Sequence, residues 1–290
     1  MRKLLLSIAL CCVLGATALP PSSGIRFHDE ANDTTRISSM LTEASAIDFR
    51  TPEDRVEFFA RKFIGKPYVA HTLENGTDPE SLTVNIDELD CTTFVETALA
   101  LAYTVGERRM SWRDYVYNLE RIRYRNGELN GYPSRLHYIC DWAVDNIHRG
   151  NITDATTVFP RYSYLVRSVD FMTVNRDRYP SLADSASYAR MREIENGYRN
   201  HRFPYIKTAD LGSKDVKAAF HSGDVVAFVS KLKNLDVTHM GIVVRDDNGM
   251  LHALHASMTN GHVEISKLPF DEFVKKNRNW IGVRVFRLSE

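Results

Sequence analysis

One cysteine of this chain lies where an apolar helix is predicted to begin. Asp90 is a good helix-capping residue, which puts Cys91 in the first turn of a helix that runs to Val105. Unpaired backbone N–H groups and the positive end of the helix dipole favour a thiolate over a thiol there, and the same N–H groups could hold an oxyanion. Cys91 is therefore a candidate nucleophile. The alternative is a structural cysteine, which is how we interpret Cys140 on the apolar face of a later helix.

A thiol nucleophile needs a base, and two of the ten histidines, His239 and His255, lie on adjacent predicted strands where they could pair. His239 opens an apolar run that ends at Val244, and His255 lies on the next strand, across a hairpin turn at 246–249. Adjacent antiparallel strands place such residues side by side on one face, so His255 could orient the ring of His239 as the third member of a triad. The alternative is that each histidine is a hydrogen-bonded core or edge residue.

Metal and nucleotide chemistry have weaker support. His252 and His255 are three residues apart, a spacing that sends them to opposite faces of a strand and prevents them from sharing one ion. The sequence has no His-Glu-x-x-His motif, paired Cys-x-x-Cys motif, Walker loop, Gly-x-Gly-x-x-Gly turn or Gly-x-Ser-x-Gly elbow. We therefore expect no metal and no cofactor, and a nucleotide enzyme or serine hydrolase is disfavoured.

Helical patterns dominate the first half of the chain and strand patterns the second. Helices are predicted from Thr51 to Gly65, over 91–105 and near 111–124, 136–149 and 183–198; strands are predicted over 224–229, 237–245, 250–257 and 280–288. Helices followed by consecutive antiparallel strands make an α+β domain rather than an alternating α/β one.

The N-terminus is typical of an exported protein. Arg2 and Lys3 precede the apolar run Leu4–Leu14, and 16–18 is a small-x-small cleavage pattern, so 1–18 is predicted to be a signal peptide and the protein periplasmic or extracellular. A lipoprotein anchor at Cys11 or Cys12 is the alternative. Residues 19–45 are interpreted as a flexible lead-in and 46–290 as a single domain. Cys91 and Cys140 remain after cleavage and could pair, unless Cys91 is the nucleophile.

Composition excludes several classes of protein. Hydrophobic residues make up 43% of the 290, enough for a core, and four cysteines are too few for a disulfide scaffold. The chain has 37 basic and 37 acidic residues, which argues against a nucleic-acid partner. We expect no transmembrane segment, because no other apolar run approaches the roughly 20 residues that a bilayer requires, and no obligate protein partner is evident.

Five segments in order resemble the NlpC-type cell-wall hydrolases, a papain-like superfamily of bacterial cysteine peptidases and amidases. They are Gly65-Lys66-Pro67-Tyr68, Asp90-Cys91-Thr92-Thr93-Phe94-Val95, Ser222-Gly223-Asp224-Val225-Val226, Thr238-His239-Met240-Gly241-Ile242 and Leu254-His255-Ala256-Ser257. Within the superfamily, the LDCTTFVE stretch and 134–138 are most similar to the N-acetylmuramoyl-L-alanine amidase-like family, over residues 50–288. One departure is the long stretch between Val95 and His239, which should hold extra helices that shape the cleft.

The resemblance implies a papain-like fold, with the nucleophile at a helix N-terminus packed on an antiparallel sheet or barrel. It implies Cys91 as nucleophile, His239 as general base and acid, and His255 as the orienting residue. Tyr68 would lie near the oxyanion site, or else be a core aromatic residue. Asp90 would cap the helix, and could also touch substrate.

The resemblance also suggests residues that bind substrate. Arg135 could bind a carboxylate of a peptide stem, with a structural salt bridge as the alternative. The same two interpretations, substrate contact or a structural role, apply to three residues close to Arg135 in sequence: Ser134, His137 and Asp141. Ser257 is also assigned to the substrate site.

The function implied is a cysteine amidase that acts on muropeptides through a thioester. The bond would join the lactyl group of N-acetylmuramic acid to L-alanine. The first alternative is a γ-D-glutamyl-diamino-acid endopeptidase with the same triad. A second is a non-catalytic secreted protein that binds glycans or peptides, and a transglutaminase-like or acyltransferase role shares the catalytic logic.

Overall fold

The computed structural model describes residues 24–74 and 79–290. The predicted signal peptide, 1–18, lies outside the described residues. The helices are α1 (Glu30–Ser45), α2 (Pro52–Arg61), α3 (Cys91–Gly106), α4 (Trp112–Arg123), α5 (Ile139–His148), α6 (Phe171–Val174), α7 (Ser185–Gly197), α8 (Lys214–Ala219) and α9 (Phe270–Lys276). The strands are β1 (Ile25–Phe27), β2 (Leu82–Val84), β3 (Ile152–Asp154), β4 (Tyr162–Arg167), β5 (His201–Lys207), β6 (Val225–Ser230), β7 (Val237–Arg245), β8 (Leu251–Ser257), β9 (His262–Ile265) and β10 (Trp280–Leu288).

Eight strands form one sheet in the order β4-β5-β10-β6-β7-β8-β9, with β3 also paired to β10. Its described strand pairs are all antiparallel. The remaining strands, β1 and β2, form a short parallel pair. The predicted α+β class is therefore confirmed. The segment between α5 and β6 holds the additional helices α6 to α8 and the strands β3 to β5. It lies between the motifs around Cys91 and those that begin at Ser222.

The predicted elements of the second half lie within one residue of the observed strands. The hairpin turn at 246–249 is also present, closed by a hydrogen bond from the N–H of Asp246 to the carbonyl of Met250. Gly249 adopts a φ of +78°, a conformation that a side chain would strain. These elements were predictable because alternation and turn residues are local signals.

Residues 25–45 correct the prediction of a flexible lead-in. They form β1 and α1, and α1 is capped by Asp29, whose side chain accepts a hydrogen bond from the N–H of Asn32. One face of α1 places Ile37, Leu41 and Ala44 in the main core, where each is fully buried. The helical spacing of these residues was visible in the sequence, but the many polar residues between them obscured it.

The sheet is covered on both faces. On one face, α3 lies at the centre of the main core, with every residue from Thr93 to Val105 buried. On the other face, a second core includes Phe228, Val243 and Phe270, from β6, β7 and α9. Alternation along β7 sends Met240 and Ile242 to the α3 face, so His239 projects on the α9 face.

Cys91 and Cys140 are both free, so the predicted alternative of a disulfide between them is excluded. Within residues 24–74 and 79–290, no helix combines the length and the apolar character needed to cross a bilayer.

Replacement of Leu41 by Ala tests whether α1 belongs to the folded unit. Because Leu41 is fully buried, the change should lower the free energy of unfolding by about 2–5 kcal/mol. Thr35, on the exposed side of the same helix, provides the control, and Thr35→Ala should alter stability by less than about 0.5 kcal/mol. Urea denaturation of both variants measures the difference. Equal, small effects would mean that α1 does not contribute to the core.

Candidate active site

A capping box fixes the first turn of α3. One carboxylate oxygen of Asp90 accepts hydrogen bonds from the N–H groups of Thr92 at 3.0 Å and Thr93 at 2.8 Å. In return, the N–H of Asp90 donates to the hydroxyl of Thr93 at 2.9 Å. The cap makes Cys91 the first residue of the helix and leaves its N–H beside its own sulfur. The role of Asp90 as a helix cap is therefore confirmed.

The sulfur of Cys91 lies against the backbone of β7. It accepts a hydrogen bond from the N–H of Met240, the residue that follows His239, and lies 4.0 Å from the hydroxyl oxygen of Thr92. Burial raises the pKa of the Cys91 thiol to about 12, and the negative charge of Asp90 adds to the rise. Cys91 is thus a neutral thiol at pH 7, although its position at the helix N-terminus by itself favours a thiolate. The capping carboxylate and burial outweigh the helix dipole.

His239 and His255 form a hydrogen-bonded pair. Nε2 of His239 and Nδ1 of His255 are 3.0 Å apart, and the two rings are nearly perpendicular. The predicted placement on one face of adjacent strands is confirmed. Gly241 allows this contact, because a Cβ there would lie 3.0 Å from the carbonyl oxygen of Leu254 and 3.2 Å from the Cβ of His255. A side chain at this position would require the neighbouring backbone of β8 to shift by a few tenths of an ångström.

Aromatic rings surround the histidine pair. The ring of His239 is parallel to that of Trp280, within 5°, at a centroid distance of 5.6 Å, and it also contacts Phe228. Phe273 covers His255 with a centroid distance of 4.9 Å. Burial lowers the pKa of His239 to about 3, with the neighbouring His255 lowering it further. Burial likewise lowers the pKa of His255 to about 4, although Glu264 opposes the shift.

Both imidazoles are therefore neutral at pH 7, and one proton occupies the hydrogen bond between them. If His239 carries that proton on Nε2, its Nδ1 is free to accept another. His255 then carries its own proton on Nε2, a buried atom without a hydrogen-bond partner among the described residues. This tautomer is the one that a general base requires.

Tyr68 lies near Cys91, to which the sequence resemblance gives the role of nucleophile. Its backbone forms a bridge with Leu89, two residues before Cys91. Burial raises the pKa of the Tyr68 phenol to about 12, and the proximity of Cys91 and Asp90 raises it further. Tyr68 therefore keeps its hydroxyl proton at neutral pH and can act as a hydrogen-bond donor next to the sulfur.

A cavity of about 1060 Å³ opens on the α9 face of the sheet. His239, His255 and Ser257 line its inner end, whereas Cys91 and Tyr68 are not among its lining residues. The hydroxyl of Ser257 accepts a hydrogen bond from the N–H of Asn260 at 3.2 Å. The walls come from the β6–β7 turn, the β8–β9 turn, α9 and the start of β10. The histidine pair therefore faces the cavity, whereas the sulfur of Cys91 lies beside the backbone of Met240, the residue next to His239.

The family model described as "AmiA-like: N-acetylmuramoyl-L-alanine amidase-like" matches residues 58–283. The chain belongs to this amidase-like family. A search of the curated proteins gives no significant match.

Solved structures agree with the family assignment. An N-acetylmuramoyl-L-alanine amidase from Bacteroides uniformis is 36% identical, with a TM-score of 0.76 over 82% of this chain and 99% of that one. A candidate xylanase from Bacteroides fragilis is 37% identical, with a TM-score of 0.73 over 79% of this chain and 98% of that one. A Legionella pneumophila protein, 21% identical, shares the fold with a TM-score of 0.69 over 90% of this chain and 96% of that one. Family membership supports a hydrolase of amide bonds in peptidoglycan.

Four residues that were predicted to bind substrate in this amidase-like protein have internal partners instead, and none lines the cavity. Arg135 is buried, with its guanidinium 2.7 Å from a carboxylate oxygen of Glu74 and 3.4 Å from one of Glu80. This is the structural salt bridge that the sequence left as the alternative. The guanidinium of Arg135 therefore has two carboxylate partners within the protein, and Arg135 does not line the cavity.

The other three have equally local roles. Asp141 is buried and binds the guanidinium of Arg125 through both oxygens, at 2.8 and 2.5 Å. His137 has its Nε2 2.9 Å from the carbonyl oxygen of Tyr132, and Ser134 donates to the carbonyl of Gly131 in a turn. The sequence resemblance assigned each of these side chains to the substrate site. In the folded protein each one instead binds a partner within the protein.

Sequence reasoning missed Trp280 and the Met240 N–H. Trp280 opens a strand without any motif around it, so nothing local predicts that its indole stacks on His239. The Met240 N–H is a backbone group, which side-chain patterns do not reveal. Trp280 reaches His239 because β10 and β7 both pair with β6, and the Met240 N–H reaches Cys91 because α3 packs beside β7.

Glu53, His221 and Asp224 bring potential metal-ligating atoms within 4.8 Å of one another, the one such group among the described residues. It lies outside the histidine cavity. Asp224 accepts hydrogen bonds from the guanidinium of Arg287 at 2.7 Å and the N–H of His221 at 2.8 Å, so protein partners already account for its position.

The pH dependence of Cys91 alkylation tests the neutral thiol. With a pKa of about 12, the rate of reaction with iodoacetamide should rise about tenfold per pH unit through pH 10, because only the thiolate reacts. Glutathione, measured in parallel, should level off above its ordinary thiol pKa. Mass spectrometry separates adducts at Cys91 from those at the buried Cys140.

The matched variant for this measurement is Asp90→Asn, which keeps a good capping side chain and removes the charge. Its alkylation curve should shift to lower pH. A wild-type rate that is already independent of pH between 7 and 9 would show that Cys91 rests as a thiolate.

Proposed function

We propose that this protein is a cysteine amidase that cleaves muropeptides between the lactyl group of N-acetylmuramic acid and L-alanine. One observation carries the proposal. The neutral imidazoles of His239 and His255 have ring nitrogens 3.0 Å apart. His239 is followed along β7 by Met240, whose N–H contacts the sulfur of Cys91. Membership in the amidase-like family supports the substrate class. The placement in the papain-like NlpC superfamily belongs to the same proposal and rests on the order of the five sequence segments.

The first half of the reaction forms a thioester. Nδ1 of His239 takes the proton of the Cys91 thiol while the sulfur attacks the lactyl carbonyl carbon. Because the thiol pKa is high, proton removal and attack occur together rather than through a stable thiolate. The tetrahedral intermediate collapses as His239 passes the proton to the nitrogen of L-alanine, the C–N bond breaks and the peptide leaves.

The second half releases the sugar. His239 takes a proton from water, the hydroxide attacks the thioester carbonyl, and the C–S bond breaks with return of the proton to sulfur. His255 accepts the Nε2 proton of His239 in a hydrogen bond throughout and stabilises the imidazolium that forms in each half. The N–H of Cys91 and the hydroxyl of Tyr68 are the donors proposed for the oxyanion.

The proposal includes export. The residues that support it are the basic pair Arg2 and Lys3, the apolar run that follows and the small residues at 16–18, which together form a signal-peptide pattern. A periplasmic or extracellular amidase would meet its substrate where peptidoglycan fragments are released.

The resemblance to a candidate xylanase does not favour glycoside hydrolysis. Such enzymes need two carboxyl groups that flank the scissile bond, about 5–10 Å apart. Glu264 is the sole carboxylate among the cavity-lining residues that the structure describes. The cavity therefore lacks the pair that this reaction would require.

Incubation with a muropeptide, followed by mass analysis of the products, tests the bond choice. The expected products are free N-acetylmuramic acid and the intact peptide. A shortened peptide that begins at the diamino acid, with the glutamyl residue left on the sugar, would support the endopeptidase alternative. No turnover, with equally slow alkylation of Cys91 and Cys140, would favour a binding protein.

The loss of activity caused by substituting each residue of the proposed triad should depend on the role of that residue. Cys91→Ala should abolish turnover, and His239→Ala should lower kcat about 10²–10⁴-fold, since it removes the acid and base. His255→Ala should leave a larger residual rate, because this residue orients and does not exchange protons with substrate. Circular dichroism should show that all three variants fold.

His252→Ala is the matched control for His255→Ala, on the same strand. Its Nδ1 lies 2.8 Å from the carbonyl oxygen of Ser266, outside the pair. His252→Ala should keep near-normal activity. Full activity in His255→Ala would remove His255 from the triad.

A further inference from the structure

We infer that the cavity on the α9 face is a subsite for an anionic peptide, and that it holds the peptide half of the substrate after the cut. The inference rests on the proposed function and extends it to the part of the substrate that leaves. It is carried by the charges of the cavity, by its apolar walls and by its position relative to His239.

The cavity is basic, although the chain as a whole carries 37 basic and 37 acidic residues. Four cationic side chains line it, and each is exposed. None has an ion pair or a side-chain hydrogen bond with any described residue. They are Lys231, Lys267, Lys276 and Arg278.

The cavity contains little negative charge, and the one carboxylate that lines it among the described residues already has partners within the protein. Glu264 is the one carboxylate among the described lining residues. Its side chain accepts a hydrogen bond from the amide of Asn260 at 2.5 Å and lies 3.7 Å from Nε2 of His262. The four cations are therefore left to face the cavity, where low-dielectric walls strengthen their attraction for carboxylates.

The walls between the cations are apolar. Leu232, Met258, Leu268, Phe273 and Trp280 all line the cavity. Met258 and Leu232 are 75% and 51% exposed, large values for residues of this type. A surface of apolar walls with cations at the rim matches a peptide whose methylene groups alternate with carboxylates.

Position decides which half of a muropeptide lies here. His239 must protonate the leaving nitrogen, so the leaving group has to lie on the side of the sulfur where this imidazole is accessible. His239 and His255 line the cavity, whereas Cys91 and Tyr68 do not. The peptide therefore lies in the cavity, and the sugar lies towards Tyr68.

The chemistry of the substrate agrees with this orientation. In the uncleaved substrate the carboxyl group of muramic acid is part of the amide, so the sugar half carries no carboxylate until hydrolysis releases it. The α-carboxylate of D-glutamate, the C-terminal carboxylate and any carboxylate of a diamino acid are all on the peptide half. Charge and position thus assign the same half of the molecule to the cavity.

Paired lysines allow a matched test. Lys231, in the β6–β7 turn, and Lys276, in α9, line the cavity. Lys233 and Lys275 are exposed in the same turn and the same helix, respectively, but do not line it. Both double Ala variants remove two positive charges, and the Cys91→Ala background prevents turnover. The probe is the peptide L-Ala-γ-D-Glu-meso-diaminopimelate, titrated by calorimetry at low salt.

We expect Lys231→Ala/Lys276→Ala to weaken binding about 2- to 30-fold, since each of two exposed ion pairs contributes about 0.2–1 kcal/mol. Lys233→Ala/Lys275→Ala should change the Kd less than about twofold. The difference should shrink at 0.5 M salt, and also for a peptide with its glutamyl α-carboxylate amidated.

Equal Kd values for the two double variants, or no binding of the peptide at low salt, would overturn the inference. Failure of the proposed function has a different signature. If no muropeptide is cleaved but the lining pair alone weakens binding, the cavity is still an anionic-peptide site. If muropeptides are cleaved at L-alanine but the two pairs behave alike, the amidase proposal stands and the inference fails.

Discussion

The hydrogen bonds between Asp90 and the first turn of α3 set the conditions for the rest of the site. They start the helix at Cys91 and occupy the N–H groups of Thr92 and Thr93, which leaves the N–H of Cys91 beside the sulfur. The same carboxylate raises the pKa of the thiol. The group that positions Cys91 therefore also helps to keep its thiol protonated, so in the proposed reaction the base has to act during the attack.

Burial makes the whole resting site neutral. Apolar surroundings raise the pKa of Cys91 and lower those of His239 and His255, so neither the sulfur nor the imidazoles carry charge at pH 7. Charge separation without substrate would be costly in this environment. In the proposed reaction, charge develops only when a carbonyl is present to receive the sulfur and a hydrogen-bond donor is present to receive the oxyanion.

One strand, β7, joins the two sides of the site. Its Met240 N–H contacts the sulfur at the end of α3, and its His239 ring faces the cavity beside α9. Gly241 lets β8 come close enough for His255 to reach that ring. Cys91 and Tyr68 thus lie near one another at the start of α3, whereas the cavity proposed to bind the peptide opens beside α9 and is lined by His239.

The sequence by itself determined the parts that depend on local pattern. The cap at Asp90, the buried helix behind Cys91, the strands of the second half and the pairing of His239 with His255 all follow from spacing and turn residues. The helix α1 was predictable in the same way, but its polar composition led to the wrong interpretation.

Tertiary structure decided what each polar or aromatic side chain does. Arg135 and Asp141 have the right chemistry for substrate, yet folding supplies them with partners of opposite charge within the protein. Trp280 becomes a wall of the site only because β10 lies beside β6. The pKa of Cys91 depends on the balance of burial, the Asp90 charge and the Met240 N–H, because electrostatic energies depend on distances that no sequence spacing specifies.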